Sequence, residues 1–311
     1  MDRIVECVPN FSEGKDPHII SGIADAIRGG GGKVLDIDSG ADANRTVITF
    51  AGSPEDVAEA AFQAVRTAGE LIDMRSQHGT HPRIGATDVL PIVPVKGISL
   101  EECATLARSL AQRVYSELGI PCYCYEASAI RPDRKRLEVC RSGEYESLSD
   151  KISDPLLRPD FGPDSFTPTA ARCGASVIGA RNFLIAVNFN LNSPDKDKAM
   201  DIARDVRESG RLFNGKRVPG TLKGVKAIGW YIPEYGFAQV SMNITDFHET
   251  PLLSAFKEVS RCASLRGLKV TGTEIIGLIP KEALPDNAVK ELNLSQIRPF
   301  VPEKKILDYM I

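Results

Sequence analysis

The sequence is poor in the residue types that most often carry catalysis or bind metals. It contains four histidines and one tryptophan in 311 residues. Its seven cysteines are scattered, and even the closest pair, Cys122 and Cys124, lacks the C-x-x-C spacing of zinc and redox sites. We therefore expect reduced, buried thiols, as in a cytoplasmic protein, rather than disulfides.

Motifs of several large protein classes are missing as well. No P-loop, no G-x-G-x-x-G and no G-x-S-x-G occurs, which argues against P-loop enzymes, dinucleotide binding and the common serine hydrolases. The formal net charge of −3 argues against a general nucleic-acid binder. No apolar run reaches membrane-spanning length, and strand-like sequence begins directly after the first residues. We therefore expect neither a membrane span nor a signal peptide.

What the sequence does contain is a pattern of helices and strands that occurs twice. In the first half a capping sequence at Ser53 starts a long helix, and in the second half helices start at Ser193 and Thr250. The apolar periodicity in each half is strand, helix, strand, strand, helix, strand. This is the order of ferredoxin-like units. We predict an α/β (α+β) fold of two subdomains, 1–180 and 181–311, each a βαββαβ-type sheet covered by helices.

Three segments lie outside this repeated pattern. Residues 131–160 are charged and irregular, which predicts an excursion from the core. Residues 160–168 form a long turn-rich loop, whose two phenylalanines favour an ordered binding loop. Residues 281–294 predict a closing helix. A ligand cleft is expected between the two subdomains.

The stretch His78–Gly85 holds two of the four histidines, between a predicted helix and a predicted strand. Pro82 restricts the backbone of His81, which would fix the direction of the imidazole, as a general base requires. Arg83 follows and could hold a carboxylate through both of its terminal nitrogens. The spacing of His78 and His81 also suits zinc, but only with a third ligand. The residues alone leave base and metal site open.

Two further charged residues are candidates for the same site. Asp38 ends one predicted strand and Arg45 precedes the next, so both would lie at an edge of the same sheet. Spacing alone favours a solvated pair without a function.

Longer motifs are more specific. They are Val5–Gly14 (VECVPNFSEG), Asn44–Val47 (NRTV), His81–Ala86 (HPRIGA), Gly143–Glu146 (GEYE), Asp160–Pro163 (DFGP) and Ala227–Tyr231 (AIGWY). Together they resemble the glutamate formimidoyltransferase (formiminotransferase) family over nearly the whole chain. The resemblance implies transfer of the formimino group from N-formimino-L-glutamate to tetrahydrofolate, which gives 5-formimidoyltetrahydrofolate and L-glutamate. This reaction belongs to histidine degradation and one-carbon metabolism.

The resemblance also implies an assembly and a set of partners. It implies a cytoplasmic homodimer of two-subdomain chains, with tetrahydrofolate, alone or polyglutamylated, as co-substrate and no metal. Some family members carry a fused cyclodeaminase. Because 311 residues leave no room for that domain, a separate cyclodeaminase is an expected partner.

Site residues follow from the resemblance position by position. His81 matches the catalytic histidine of the family, and Asp38 matches an aspartate that would stabilise the cationic carbon under attack. A histidine with a pKa of about 6.5 could accept the proton of the attacking amine and donate one to the departing glutamate nitrogen. By charge we match Arg45, Arg83 and Arg181 to the carboxylates of formiminoglutamate and folate. The expected folate-binding residues are Phe161, Gly162, Pro163, Asp164, Ser165, Phe166, Thr167, Pro168 and Gly174.

The chain departs from the family pattern in two places. The family has Lys-Gly-Glu before its His-Pro, whereas this chain has His78-Gly79-Thr80, and the folate loop carries the extra residues Ala170–Cys173. These departures motivate two alternatives. One is a 5-formyltetrahydrofolate-dependent glutamate formyltransferase, and the other is a non-catalytic folate-binding carrier.

Overall fold

The computed structural model of the chain describes residues 3–41, 43–79, 81–294 and 299–311. It divides into two compact units, Met1–Arg181 (unit 1) and Asn182–Ile311 (unit 2), and each unit has a hydrophobic core of its own. All seven cysteines are free and buried, as expected. Within the described ranges, none of the helices is long and apolar enough to cross a bilayer.

Unit 1 is built on one seven-stranded sheet. Its elements are β1 (Ile4–Cys7), β2 (Asn10–Phe11), α1 (Pro17–Gly29), β3 (Lys33–Gly40), β4 (Arg45–Gly52), α2 (Pro54–Leu71), β5 (Thr87–Lys96), α3 (Leu100–Leu118), β6 (Cys122–Glu126), α4 (Leu137–Cys140), α5 (Leu148–Ser153), α6 (Pro168–Cys173) and β7 (Ser176–Ala180). β1 and β2 both pair with β4 and β5, so they act as two parts of one interrupted strand. The order across the sheet is therefore β3, β4, β1/β2, β5, β7, β6, and the last three strands are parallel.

Local sequence explains where the long helices of unit 1 begin and end. The Ser53 side chain accepts a hydrogen bond from the backbone N–H of Asp56, with proline at the first position of α2. Ser99 and Glu102 form a complete capping box at the start of α3, and Gly119 ends that helix with a φ of 70°. The predicted helix start at Ser53 is confirmed.

The two faces of this sheet are covered differently. Helices α1, α2 and α3 contribute to the main core on one face, where Phe50 and Ile92 are fully buried. On the other face, at the β6 and β7 end, the segment 131–160 packs Leu148 and Ile152 into a second cluster with Tyr123. Full burial of such an aliphatic side chain stabilises a fold by about 1.5–3 kcal/mol. The predicted excursion is therefore a packed layer of unit 1.

Unit 2 repeats the arrangement with four strands. Its elements are β8 (Ile185–Leu191), α7 (Lys196–Val206), β9 (Arg211–Phe213), β10 (Lys216–Val218), β11 (Val225–Ile232), β12 (Phe237–Ile244), α8 (Leu252–Ser264), β13 (Val270–Ile276), α9 (Ala288–Glu291) and α10 (Pro302–Lys305). The sheet order is β11, β12, β8, β13, and β9 and β10 form a separate hairpin. When the four strands of each βαββαβ unit are numbered in chain order, with β1/β2 counted as one strand, their order across the sheet is second, third, first, fourth in both units. The predicted ferredoxin-like βαββαβ order is confirmed in both.

One predicted element of unit 2 is wrong. Residues 281–294 do not form a single closing helix, because a 3₁₀ turn at Lys281–Ala283 is followed by only the short α9. Pro285 lies between these two pieces and lacks the N–H that a continuous helix needs. The site residues described below all belong to unit 1, so the predicted cleft between the units stays a prediction.

Candidate active site

The histidine loop, residues 77–85, connects α2 to β5 and is tied to the turn that joins β3 and β4. The Asn44 side chain donates to the carbonyl of His78 at 2.7 Å and accepts from the N–H of Gly14 at 3.0 Å. Gly79 lies so close to this turn that a Cβ would come within 2.4 Å of the Ala43 carbonyl oxygen. Thr80, part of the departure from the family motif, lies outside the described residues. These contacts fix the loop beside the start of β4.

His81 contacts a partner through each of its ring nitrogens. Nε2 lies 2.5 Å from Nη1 of Arg45, and Nδ1 lies 2.7 Å from the carbonyl oxygen of Pro82. Because a guanidinium can only donate, Nε2 must accept, and Nδ1 therefore carries the proton. Burial, then the charges of Arg45 and Arg141, lower the pKa of His81 to about 4. The expectation of a pKa near 6.5 is corrected: the imidazole of the free protein is neutral and only weakly basic.

Arg45 and Asp38 lie on the same face of the sheet. Asp38 pairs with Val47 and Gly40 pairs with Arg45, so the two charged side chains are diagonal neighbours across β3 and β4. Burial lowers the pKa of Arg45, and Asp88 opposes this effect, with smaller contributions from Arg141 and Asp38. The structure thus brings Asp38, Arg45 and His81 into one region, with Asp38 exposed to solvent.

Arg141 is a charged residue of this region that no sequence motif predicts. Its Nη2 donates to Asp88 at 2.6 Å, and its side chain is only 15% exposed. Its Nε is buried and has no hydrogen-bond partner among the described residues. Burial raises the pKa of Asp88, although Arg141 and Arg45 oppose that rise. The charges of two guanidiniums, Arg45 and Arg141, therefore act on the neutral imidazole, and Arg141 has a buried N–H group without an acceptor in the described structure.

Arg83 does not fit the role predicted for it. Its side chain is engaged by Gln77 at 2.8 Å, by Glu146 at 2.7 Å and by Glu144 at 3.2 Å, and the residue is 7% exposed. The hydrogen bond that Arg83 donates to the Glu146 carboxylate is the main reason why the pKa of Arg83 is raised. Because its donors are bonded inside the protein, Arg83 fixes the histidine loop to residues 144–146 and is not available as a carboxylate clamp.

His78 lies apart from this arrangement. It is exposed and lines a surface pocket of about 420 Å³ with Gly79, Arg83 and Glu144, whereas His81 contacts Arg45. Among the residues that the structure describes, no group of three histidine, cysteine or carboxylate side chains is arranged to hold a metal. The two histidines therefore have separate surroundings.

The start of the predicted folate loop is held firmly on β6. Asp160 accepts from the N–H of Cys124 at 2.8 Å and from Arg134 at 2.6 Å, and both charged side chains are almost fully buried. Phe161 pairs through its backbone with Cys122 and packs against the main core. Phe166 is 37% exposed, so it presents more ring surface to a ligand than Phe161 does.

The end of this loop meets the histidine loop. Thr167 caps α6 by accepting from the N–H of Ala170, so Ala170–Cys173, the residues predicted to be extra in this loop, are part of a helix. Gly174 then pairs with Gly85. Its φ is 70°, and a Cβ there would come within 2.3 Å of the carbonyl oxygen of Ile84. Residues 162–174, predicted to bind folate, are thus joined by backbone contact to the loop that carries His81.

The structure does not bring Arg181 to His81. Arg181 follows β7 and hydrogen-bonds the Tyr125 side chain. Its charge opposes a burial effect that raises the pKa of Glu6 to about 7. Glu6 pairs with Ala51, six residues along β4 from Arg45, which corresponds to about 20 Å. Arg181 therefore belongs to a separate patch further along the same sheet.

Comparison with known proteins supports a single family over both units. A family model described as the formiminotransferase domain, N-terminal subdomain, matches residues 4–181. A second, described as the formiminotransferase domain, matches residues 186–289.

Individual relatives agree with the family models. The glutamate formimidoyltransferase of Streptococcus pyogenes serotype M1 is 41% identical over 99% of this chain and 98% of its own length. The glutamate formimidoyltransferase of Thermoplasma acidophilum is 40% identical over 94% of this chain and 93% of its own length. The formimidoyltransferase-cyclodeaminase of Sus scrofa is 44% identical over the whole chain, which spans 60% of that relative. The resemblance noted in the sequence is confirmed, and the chain belongs to the formiminotransferase family.

Proposed function

We propose that the protein is a glutamate formimidoyltransferase, which moves the formimino group from N-formimino-L-glutamate to tetrahydrofolate. Two relatives of similar length bear that name. The structural observation that carries the proposal is His81, a neutral imidazole with its proton on Nδ1 and its Nε2 facing Arg45. A base of fixed tautomer beside cationic side chains suits an amine acceptor and a donor that bears carboxylates.

The reaction needs one group that moves a proton twice. The folate amine forms a bond to the formimino carbon, and His81 Nε2 takes the proton that this nitrogen must lose. The imidazolium then gives its proton to the glutamate nitrogen as the bond between that nitrogen and the carbon breaks. Atoms and charges balance, and His81 returns to its neutral state.

The short contact between Arg45 and His81 suggests how the base becomes active. In the free protein the guanidinium occupies the lone pair that the reaction needs. A substrate carboxylate that binds Arg45 would draw the guanidinium away from Nε2. The negative charge of that carboxylate would also raise the pKa of His81 from about 4. Substrate binding would thus both free and strengthen the base.

Arg141 would supply a second contact to the donor. Its buried Nε is aligned with no acceptor in the described structure, and a substrate carboxylate would satisfy it. Asp38, on the same sheet face as Arg45, is assigned to the cationic formimino carbon.

Folate would extend away from this centre. Gly162 to Gly174, with Phe166 as the exposed ring, is assigned to the heterocyclic end. Arg181, about 20 Å along the sheet, would receive the glutamyl carboxylate at the other end. We also propose a cytoplasmic homodimer whose product passes to a separate cyclodeaminase. The fused name of the Sus scrofa relative motivates that last step.

Consumption of formiminoglutamate, measured with and without tetrahydrofolate, tests the proposal. Purified protein should consume formiminoglutamate only when tetrahydrofolate is present. A His81→Ala variant should lose about 10²- to 10⁴-fold in turnover while it still binds folate. Equal turnover of variant and parent would refute the role of His81. Faster turnover with 5-formyltetrahydrofolate and glutamate would favour the formyltransferase, and folate binding without turnover in the parent would favour the carrier.

A further inference from the structure

Unit 2 contains a pocket that the proposed reaction does not use. It lies where the C-terminal end of α7 meets the β9–β10 hairpin, and its volume is about 440 Å³. This is within the size range of small-molecule sites. We call it the arginine pocket, and its lining residues are Arg204, Arg207, Gly210, Arg211, Leu212 and Arg217.

The positive charges of the arginine pocket are not balanced. Across the described residues, the ion pairs of its arginines go to two carboxylates, Asp201 and Asp205. Asp205 is shared with a further arginine outside the pocket, Arg266, at 2.5 Å. In a protein with a formal net charge of −3, this local excess of positive charge is not a general property of the surface.

Two of the four arginines have no carboxylate partner in the described structure. Arg207 donates to the carbonyls of Gly210 at 2.9 Å and Ala227 at 3.3 Å, and Arg217 donates to the carbonyl of Ser209 at 2.9 Å. Burial and the three neighbouring guanidiniums all lower the pKa of Arg207. Bound anions would relieve this repulsion.

The same carbonyl contacts hold the guanidiniums in place. A fixed guanidinium loses less entropy when it binds an oxyanion, and its fork of N–H groups matches phosphoryl and carboxylate oxygens. Leu212 lines the pocket and is 70% exposed, and the adjacent Phe213 is 64% exposed. The hairpin therefore offers apolar surface beside a concentration of positive charge.

We propose that the arginine pocket binds a small ligand with at least two oxyanion groups, either phosphoryl groups or clustered carboxylates. The excess of guanidiniums favours an anionic ligand, and the volume of the pocket fits a small molecule. The exposed Leu212 could contact an apolar part of that ligand. This site is independent of the proposed transferase function, because its residues and its test involve neither His81 nor turnover.

Calorimetric titration of the full chain tests the proposal, with inorganic pyrophosphate in one arm and tri-γ-glutamate in the other. Arg204→Gln and Arg217→Gln should each weaken binding by about tenfold, as expected for the loss of one charge-assisted contact. The matched control is Arg28→Gln. Arg28 and Arg204 both lie near the end of a helix, are 54% and 45% exposed, and pair with an aspartate three residues earlier.

The control should bind within about twofold of the parent. Binding of pyrophosphate alone would identify a phosphorylated ligand, and binding of tri-γ-glutamate alone an oligocarboxylate. Three outcomes would overturn the proposal: no binding of either probe at millimolar concentration, binding that both pocket variants leave unchanged, or an equal loss in Arg28→Gln. Thermal unfolding of each variant establishes that it is folded.

Discussion

Replacing Arg45 by glutamine should raise the pKa of His81. In the parent protein, burial, Arg45 and Arg141, in that order, lower this pKa from 6.5 to about 4. Glutamine removes the charge of Arg45 but retains an N–H group that can donate to Nε2. Because burial and Arg141 continue to act, the pKa should rise by on the order of one unit and remain below the ordinary value.

The same shift links His81 to stability. The folded pKa is below the unfolded value, so the unfolded chain takes up a proton first as the pH falls below 6.5. The stability that the neutral form of His81 contributes is thus fully present above pH 6.5, and the free energy of unfolding decreases as the pH falls from 6.5 towards about 4. The loss is at most about 3 kcal/mol, and the partial exposure of the imidazole reduces it. Arg45→Gln should lose less over this interval.

An NMR titration of the imidazole C–H signals measures the pKa directly. Only four histidines contribute, and His81→Gln assigns the relevant signal. Arg28→Gln, which removes an exposed arginine of α1, should leave the titration unchanged. An unchanged or lower pKa of His81 in Arg45→Gln would refute both the electrostatic argument and the proposed activation of the base by a substrate carboxylate.

Three further substitutions separate structural roles from functional ones. Asp88→Ala leaves Arg141 buried without its carboxylate and should destabilise the protein by about 3–5 kcal/mol in urea unfolding; a loss below about 1 kcal/mol would argue against the pair. Arg83→Met should lower the free energy of unfolding by about 1–3 kcal/mol, because the partners of Arg83 are other residues of the protein. The KM for formiminoglutamate should stay within about threefold of the parent value. A large rise in KM with unchanged stability would instead support a role of Arg83 in binding a substrate carboxylate. Gly174→Ala should lower the free energy of unfolding by about 1–3 kcal/mol or more, because a Cβ would lie 2.3 Å from the Ile84 carbonyl oxygen. A variant as stable as the parent would contradict this close approach of the two backbones.

The sequence predicts those parts of the fold that local chemistry decides. The helix starts at Ser53 and Ser99 follow from side chains that accept hydrogen bonds from N–H groups three residues later. The βαββαβ order follows from apolar periodicity. By contrast, β7 is a short buried run without alternation, which sequence alone does not distinguish from a buried helical segment. The β9–β10 hairpin has a local sequence signal, since Asn214-Gly215 between its strands is typical of a two-residue hairpin turn.

The site is less predictable, because its contacts join distant parts of the chain. His81 and its surroundings could be selected from motif and backbone chemistry. However, Arg83 is held by glutamates 61 and 63 residues away, and the sequence does not show which anion an arginine meets. Arg141 pairs with a carboxylate 53 residues earlier and lies in a segment with several other arginines. Nothing in that segment distinguishes it until the chain is folded.

The contact between Gly85 and Gly174 has a consequence for how the two substrates influence one another. Backbone hydrogen bonds run in both directions here, from Ala175 to the Ile84 carbonyl at 3.0 Å and from Ala86 to the Cys173 carbonyl at 2.8 Å. We expect a ligand that reorders one loop to act on the other through these hydrogen bonds. Thermodynamic linkage makes such an effect reciprocal. Occupancy of the predicted folate loop and the orientation of the imidazole would then share one coupling free energy, and each substrate would alter the affinity for the other by the same factor.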